Sequence, residues 1–263
     1  FNSNQKNKIL LPMKVLVIGS GGREHAIVDA LTRSPQVEKI YCAPGNAGIA
    51  RQAECVDIRD TEVGRLRDFA RGEGIGLTVV GPEAALAAGI VDSFREAGLR
   101  IFGPTKAAAR IESSKEFAKD LMARYDIPTA GYRAFTDYEA ARAYVAARPF
   151  PAVLKYDGLA AGKGVVIAQT MEEADEALRQ MLLDDKFGEG KVVVEDFLEG
   201  PEFSLLCFVS GRRVWPMVLS QDHKRAYDGD KGPNTGGMGA YTPLPFITAD
   251  DERYAVERIM RPT

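Results

Sequence analysis

The chain is poor in the residues that build metal sites, disulfide frameworks and membrane spans. Only two of its 263 residues are histidine and three are cysteine. Cys42, Cys55 and Cys207 are scattered and lack CxxC spacing, which favours reduced thiols in a cytosolic protein over a disulfide framework or a zinc site. No apolar run approaches the ~20 residues that span a bilayer. The net charge of −3 indicates no general affinity for nucleic acid or an anionic membrane.

The remaining composition is that of an ordinary globular protein. The chain is 45% hydrophobic and 27% charged, and its length allows one large domain or two smaller ones. Residues 1–12 (FNSNQKNKILLP) lack the apolar core of a secretion signal. A clean strand pattern begins at Met13, so we expect residues 1–12 to be a leader or a disordered extension.

Short apolar segments alternate with amphipathic segments between residues 14 and 103. The predicted strands are Lys14–Ile18, Lys39–Ala43, Leu77–Val80 and Arg100–Phe102, and the predicted helices are Thr61–Arg71 and Glu83–Ala97. This rhythm predicts a doubly wound parallel sheet, in which ligands bind beyond the carboxyl ends of the strands. Those ends carry glycine-bearing loops at 19–24, 43–48, 81–83 and 103–105, which suit a phosphate or a carboxylate.

The first of these loops only partly fits a dinucleotide-binding fingerprint. Gly19, Gly21 and Gly22 follow a strand, but Glu24 stands where the third glycine is needed. No Asp or Glu closes the second predicted strand to bind a ribose hydroxyl. A helix N-terminus that binds a substrate phosphate, with Arg23 nearby, is therefore favoured over a dehydrogenase.

The stretch 153–164 (VLKYDGLAAGKG) predicts a polyphosphate site. A strand delivers Lys155, and a loop of glycines and small residues leads to Lys163. Glycine lets backbone N–H groups approach phosphate oxygens, and lysine supplies a point charge. The spacing is not that of a Walker A motif, because only three residues separate Gly158 from Gly162. A tight glycine hairpin with a solvated lysine is the alternative.

A helix is predicted over residues 111–127, capped by Ser113 or Ser114 and ended by Pro128. Lys115 lies in its first turn, where a cation is unfavourable unless an anion is close. Either a phosphate contact or an exposed ion pair would account for this lysine.

A second α/β unit is predicted to follow. Its elements are a helix at Thr136–Ala147, strands at Ala152–Tyr156 and Val165–Ala168, a helix at Met171–Leu183 and a strand at Lys191–Glu195. The strand–glycine loop–strand arrangement predicts an antiparallel lid over a nucleotide. Backbone groups at 195–198 could pair with an adenine edge, and Glu202 could accept hydrogen bonds from ribose hydroxyls. A solvated acidic hinge is the alternative.

Residues 220–241 form a long polar, glycine-rich segment. Loops of this length are uncommon unless they are functional or disordered. Charged residues beside glycines favour a substrate loop, although His223 alone is more typical of a structural histidine. A last helix is predicted over Asp250–Arg261.

Six segments together carry a resemblance that spans Met13 to Thr263. They are MKVLVIGSGGREHA, APGNAG, VGPEA, IFGPT, DGLAAGKGV and SQDHKR…GPNTGGMGAY. In this order they resemble the ATP-grasp superfamily, and within it the phosphoribosylamine–glycine ligases (glycinamide ribonucleotide synthetases) of purine biosynthesis.

The resemblance implies an α/β fold with an N-terminal doubly wound parallel-sheet (pre-ATP-grasp) domain at 13–131. It also implies an ATP-grasp lid subdomain at 132–202 and an incomplete central ATP-grasp subdomain at 203–263. The implied reaction joins glycine to 5-phosphoribosylamine through a glycyl phosphate, converting ATP to ADP and phosphate.

The site residues carried over from the family form two sets. The set implied for ATP is Lys115, Lys155, Asp157, Gly158, Gly162, Lys163, Gly164, Glu195, Asp196, Leu198 and Glu202. The set implied for glycine and phosphoribosylamine is Gly21, Gly22, Arg23, Glu24, Asn46, Gly81, Pro82, Glu83, Asp222, His223, Lys224, Arg225, Asn234, Thr235, Gly236 and Gly237.

Members of the family continue beyond the point where this sequence stops. The Glu and Asn that hold catalytic Mg²⁺ (or Mn²⁺) lie in that further part, so we expect no metal ligand in this chain and little or no activity from it alone. Another ATP-grasp carboxylate–amine ligase and a non-catalytic nucleotide-binding fragment are the alternatives. We expect a cytoplasmic monomer or homodimer that acts on small molecules and binds neither nucleic acid nor membrane.

Overall fold

The computed structural model describes residues 12–158, 164–184, 190–223, 225–229, 231–235 and 239–263. The chain divides into two compact units, Phe1–Ser113 and Ser114–Thr263, each with a sheet of its own. Residues 114–131, which the sequence groups with the N-terminal domain, fall in the second unit. Within the described ranges, no helix is both long and apolar enough to cross a membrane.

The first unit contains a five-stranded parallel sheet. Its strands are β1 (Met13–Gly19), β2 (Val37–Pro44), β3 (Glu54–Cys55), β4 (Leu77–Val80) and β5 (Ile101–Phe102), in the order β3-β2-β1-β4-β5. All four neighbouring pairs are parallel. The doubly wound sheet is therefore confirmed, and β3 is an edge strand that the sequence did not predict because two residues carry no periodicity.

The helices of the first unit connect these strands. They are α1 (Gly22–Thr32), α2 (Val63–Gly72), α3 (Glu83–Ala87), α4 (Ile90–Glu96) and α5 (Lys106–Ser113). The single helix predicted over 83–97 is wrong, because Gly89 adopts a left-handed φ of 89° and separates α3 from α4. A left-handed residue cannot continue a right-handed helix.

The sheet of the first unit has a buried cluster on each face, as expected where helices cover both sides. One cluster includes Leu16, Ile18, Leu66, Ile90 and Phe94. The other includes Val15, Val17, Val28, Ile40 and Ile49. Alternate residues of β1 thus enter opposite clusters, which holds the end of β1 rigidly between its helices.

The second unit contains a four-stranded antiparallel sheet. Its strands are β6 (Tyr132–Phe135), β7 (Ala152–Tyr156), β8 (Val165–Ala168) and β9 (Val192–Asp196), in the order β6-β9-β7-β8. Two helices, α7 (Tyr138–Ala146) and α8 (Met171–Leu182), bury Val145, Leu178 and Met181 with the sheet residues Leu154 and Val194. The antiparallel pairing predicted around the glycine loop is present between β7 and β8.

The helix predicted over 111–127 begins later than expected. Ser114 is the N-cap of α6 (Lys115–Arg124), and its hydroxyl accepts the N–H of Phe117. Residues 111–113 belong to α5 instead. The prediction was wrong because two helices follow each other without a Gly or Pro to separate them.

The remainder of the second unit consists of short strands and one helix. A hairpin joins β10 (Cys207–Ser210) to β11 (Arg213–Pro216), while β12 (Gln221–Asp222) pairs with β15 (Ala240–Tyr241) and β13 (Arg225–Tyr227) with β14 (Lys231–Asn234). The segment 220–241 therefore contains paired strands rather than one long loop. The last helix, α9 (Ala249–Ala255), ends six residues earlier than predicted and continues as a π-helical segment, Val256–Met260.

Candidate functional site

The first candidate site lies at the carboxyl edge of the parallel sheet, where β1 and β4 are neighbours. The chain winds outward from β1 in both directions, which makes this the switch point where ligands bind in such sheets. The loop after β1 carries Gly21 and Gly22, and the loop after β4 carries Gly81 and Pro82. The structure therefore brings these two predicted sets of loop residues together.

Glu24 fills the space between these two loops with its own side chain. It is only 3% exposed, and its Oε2 accepts the N–H of Gly21 at 2.7 Å, which caps α1 from within. A Cβ atom added at Gly81 would lie 1.9 Å from Glu24 Oε1, and one added at Gly19 would lie 2.6 Å from Glu24 Cγ. These two glycines make room for a buried carboxylate.

Arg23 is held between two carboxylates at the same edge. Its Nε contacts Glu24 Oε1 at 2.7 Å, and its Nη1 contacts Glu83 Oε1 at 2.9 Å. Burial opposes the charge, but the hydrogen bonds to Glu83 and Glu24 outweigh it and raise the pKa of the Arg23 guanidinium. The same contact with Arg23 lowers the pKa of Glu83. A phosphate at this edge would compete with both carboxylates for Arg23.

Asn46 joins the loop after β2 to the loop after β1. Its Nδ2 donates to the carbonyl of Ser20 at 2.7 Å, and its Oδ1 accepts the N–H groups of Gly48 and Ile49. The predicted site residue thus orders the loops on both sides of the β1 end.

The second candidate site lies in the second unit, where the glycine loop leaves β7. Asp157 accepts the backbone N–H groups of Lys115 and Glu116 and the hydroxyl of Ser114, so it caps α6 from a distant part of the chain. Lys115 Nζ donates to the carbonyl of Gly158 at 2.9 Å. The lysine and the loop that the sequence assigns to phosphate are therefore in direct contact.

Lys155 meets the predicted adenine hinge through Glu195. Its Nζ lies 2.9 Å from Glu195 Oε2, and Lys119 Nζ lies 2.9 Å from the same oxygen. Glu195 and Lys119 are both buried, at 6% and 8% exposure. Sequence reasoning did not single out Lys119. The signal was its spacing of four residues from Lys115, which places both on one side of a helix.

Asp196 is held by Arg148 beside the hinge. Its carboxylate pairs with Arg148 Nη2, and its backbone N–H donates to the carbonyl of Gly131. The Arg148 guanidinium lies 4.8 Å from the centre of the Tyr144 ring. A cavity of about 450 Å³, the hinge cavity, is lined by Arg148, Phe150, Glu195, Asp196 and Leu198 among others.

A larger cavity of about 940 Å³ joins residues from the two predicted sets. Leu198 and Glu202 come from the ATP set, and Asp222, His223 and Thr235 come from the substrate set. Tyr227 and Asp228, which the sequence did not single out, also line it. Pockets of this volume accommodate a cofactor-sized ligand.

His223 is held in the wall of the large cavity by several contacts. Its ring stacks on Tyr241 with centroids 5.7 Å apart, and its backbone N–H donates to the carbonyl of Gly239 at 2.9 Å. The Thr235 hydroxyl donates to the His223 carbonyl. The two hydrogen bonds hold the His223 backbone, and the stacking contact with Tyr241 is the one that involves its ring.

Some predicted site residues lie outside this description. Gly162, Lys163, Lys224, Gly236 and Gly237 are not among the described residues.

The remaining predicted site residues lie at strand pairings. Arg225 and Asn234 lie opposite each other on β13 and β14. Gly164 accepts the N–H of Tyr156 through its carbonyl at 2.7 Å, where β7 and β8 meet the loop.

Two family descriptions together match the chain from residue 13 to its end. Residues 13–112 match "Phosphoribosylglycinamide synthetase, N domain", and residues 113–263 match "Phosphoribosylglycinamide synthetase, ATP-grasp (A) domain". A phosphoribosylamine–glycine ligase from Listeria innocua is 56% identical over 253 residues, and one from Yersinia pestis is 54% identical over 255 residues. Each alignment covers 95% of this chain and 60% of the relative.

Solved structures show the same relationship. The crystal structure of phosphoribosylamine–glycine ligase from Thermotoga maritima is 33% identical, with a TM-score of 0.80 over 95% of this chain and 60% of that one. The biotin carboxylase domain of a Hydrogenobacter thermophilus carboxylase, solved with MgADP, has a TM-score of 0.71 at 16% identity and covers 96% of this chain and 58% of its own. The latter likeness shows the ATP-grasp fold alone. The chain spans about 60% of the length of the curated relatives that it matches.

Proposed function

The chain belongs to the phosphoribosylglycinamide synthetase family, and we propose that it supplies the nucleotide site and part of the substrate site of an ATP-dependent carbon–nitrogen ligase. The proposed reaction joins glycine to 5-phosphoribosylamine to give glycinamide ribonucleotide, ADP and phosphate. This is the reaction expected of relatives named phosphoribosylamine–glycine ligase.

The large cavity is the observation that carries this proposal. Its wall combines the predicted hinge residue Leu198 and ribose acceptor Glu202 with Asp222, His223 and Thr235 of the predicted substrate segment. A ligase must hold a nucleotide and an acceptor side by side, because the phosphoryl group passes between them. A cavity lined by only one of the two sets would have supported a binding module instead.

The predicted nucleotide residues then take the following roles in the proposed reaction. Lys155 and Lys115 contact the ATP phosphates, and the hinge backbone at 195–198 pairs with the adenine edge. Glu202 accepts the ribose hydroxyls. The γ-phosphoryl group passes to the glycine carboxylate, and the amine of phosphoribosylamine attacks the resulting glycyl phosphate with loss of phosphate.

Mg²⁺ or Mn²⁺ would supply charge neutralisation between the β- and γ-phosphates. The described residues contain no group of three or more His, Cys, Asp or Glu side chains that could hold a metal ion. They do not by themselves fit the metal site that the family implies, and we assign no step of the reaction to a metal here.

We place this activity in the cytoplasm. The three cysteines are free thiols, and burial raises the pKa of the Cys42 thiol to about 12, which keeps it protonated. Unpaired thiols suit a reducing compartment.

Thermal unfolding of the 263-residue chain with MgATP, MgADP, NADH or buffer tests the nucleotide site. A ligand at about 100 times its Kd adds about 2.7 kcal/mol, which raises the Tm by roughly 5–10 °C for a chain of this size. We expect this rise with both adenine nucleotides and not with NADH. Lys155→Ala should reduce the rise, and Lys39→Ala, on an exposed lysine of the first unit, should not.

A cooperative transition that neither adenine nucleotide shifts would contradict the nucleotide site. An equal rise with NADH would favour the dinucleotide alternative, and a rise unchanged by Lys155→Ala would remove Lys155 from the site.

A further inference from the structure

Two lysines share one oxygen of a buried carboxylate on β9, an inner strand of the antiparallel sheet. Lys119 and Lys155 each approach Glu195 Oε2 to 2.9 Å. Glu195 Oε1 has no hydrogen-bond partner among the described residues, so the stabilisation of this carboxylate passes through Oε2. One negative and two positive charges meet there, which leaves one cation in excess.

The two lysines differ in how firmly they are held. The ammonium group of Lys119 has three acceptors, namely Glu195 Oε2, the Thr129 hydroxyl at 2.8 Å and the Ala130 carbonyl at 3.3 Å. These match its three N–H donors. Its side chain is 10% exposed, whereas that of Lys155 is 29% exposed. Lys119 is therefore the fixed cation, and Lys155 is the one that can reorient towards solvent.

We propose that Lys119 is a positioning residue that keeps Glu195 neutralised and in place, so that Lys155 can exchange Glu195 for a nucleotide phosphate. A buried carboxylate needs a partner cation at all times, because an unpaired buried charge is strongly unfavourable. Lys119 pairs with Glu195 both when Lys155 contacts Glu195 and when Lys155 has moved to a nucleotide phosphate. Without Lys119, Lys155 would be the sole counterion of Glu195 and would be retained there. This inference rests on the proposed nucleotide site.

The test compares the binding of inorganic tripolyphosphate and of ATP, each with Mg²⁺, by calorimetry at constant ionic strength. We expect Lys119→Met to weaken tripolyphosphate binding about tenfold, because Lys155 must now leave an otherwise unpaired carboxylate. The double variant Lys119→Met/Glu195→Gln should restore tripolyphosphate affinity to within about threefold of wild type. Lys39→Met, which removes a paired lysine of the first unit, serves as the matched control and should bind as wild type does.

The Glu195→Gln background keeps the test informative if Lys119→Met alone does not fold. In that background Lys155 has no carboxylate to leave, so adding Lys119→Met should change tripolyphosphate affinity by less than about twofold. A lysine with a merely structural role would instead weaken binding in both backgrounds.

Each outcome decides between the two proposals. Wild-type chain that binds neither ligand would overturn the nucleotide site and this inference with it. Wild-type binding that Lys119→Met leaves unchanged would overturn the inference alone. So would a double variant that stays as weak as Lys119→Met, or a loss of affinity on adding Lys119→Met to Glu195→Gln.

Discussion

Single side chains at the β1–β4 edge show how closely two loops depend on one carboxylate. Glu24 caps its own helix, contacts Arg23 and occupies the volume left by Gly19 and Gly81. A side chain at position 81 has nowhere to go unless Glu24 moves. Any ligand that binds at this edge therefore meets a preformed arrangement. In it, the Glu24 carboxylate positions the loop after β1, the start of α1 and the loop after β4.

Gly81→Ala should lower the free energy of unfolding by about 1–3 kcal/mol, because the new Cβ displaces Glu24 from the Gly21 N–H and from Arg23. Gly64→Ala is the matched control, since Gly64 lies in α2 and its Cβ would meet nothing within 4 Å. It should be neutral or stabilise the helix by up to about 1 kcal/mol. Urea unfolding measures both.

A double-mutant cycle with Glu24→Ala identifies the cause of the loss of stability at Gly81. In a Glu24→Ala background, Gly81→Ala should cost less than about 0.5 kcal/mol, because no side chain remains to be displaced. A cost that is the same in both backgrounds would show that the backbone at Gly81, and not Glu24, requires glycine.

Among the helices, α6 depends on a cap that is remote in sequence. Asp157 accepts hydrogen bonds from three donors at the N-terminus of α6, in addition to the local cap from Ser114. Asp157→Ala should cost roughly 1–2 kcal/mol of unfolding free energy. Asp137→Ala, which removes a single exposed N-cap contact at α7, is the matched control and should cost roughly 0.5–1 kcal/mol. Equal losses in chemical denaturation would contradict the larger role of Asp157.

Two helices of the second unit, α7 and α8, are joined by Asp175 of α8. It accepts hydrogen bonds from Tyr138 and Arg142 of α7 and from Arg179 of its own helix. The Tyr138 hydroxyl, followed by Arg179, lowers the pKa of Asp175 to about 2. Asp175 therefore stays ionised to a lower pH in the folded protein than in the unfolded chain.

This lowered pKa gives the stability a defined pH dependence. A carboxyl whose pKa falls on folding adds stability above its ordinary pKa near 3.8 and loses that contribution as the pH falls towards 2. We expect Asp175→Asn to lose less stability than wild type between pH 5 and pH 3 in urea titrations. Glu176→Gln, which leaves the Asp175 contacts intact, should follow wild type. Parallel profiles for all three proteins would exclude Asp175 as a source of acid sensitivity.

For the chain as a whole, the main feature is that each unit has a sheet and a core of its own. The first unit buries residues on both faces of its sheet, and the second buries α7 and α8 on its antiparallel sheet. About 100 residues suffice for an independent core. Residues 13–113 expressed alone should therefore unfold cooperatively in urea when followed by circular dichroism. A gradual, non-cooperative transition would show that this unit needs residues beyond 113.

The sequence predicted the parts of the fold whose signal is local. Apolar runs such as Leu77–Val80 became strands because such runs are buried wherever they lie. The sequence did not predict the two-residue strand β3 or the short strands of 221–241, because so few residues show no periodicity. Gly89 caused the wrong prediction of a single helix over 83–97, because glycine inside a helical pattern can either continue a helix or end it.

The candidate site was predictable to the same extent. The motifs identified Glu24, Lys155 and Glu195, but not what these residues contact. The burial of Lys119 and the capping by Asp157 arise from residues far apart in the chain, which brings together partners that no local pattern connects.

The remote cap of α6 also bears on the order in which the protein can form. Asp157 lies 42 residues after Lys115, so a growing chain exposes the helix well before it exposes the carboxylate that completes its first turn. Until β7 has been made and placed, Ser114 alone caps the N-terminus of that helix. The start of α6 should thus become protected from hydrogen exchange later than the rest of that helix, and the start of the glycine loop should become ordered in the same step.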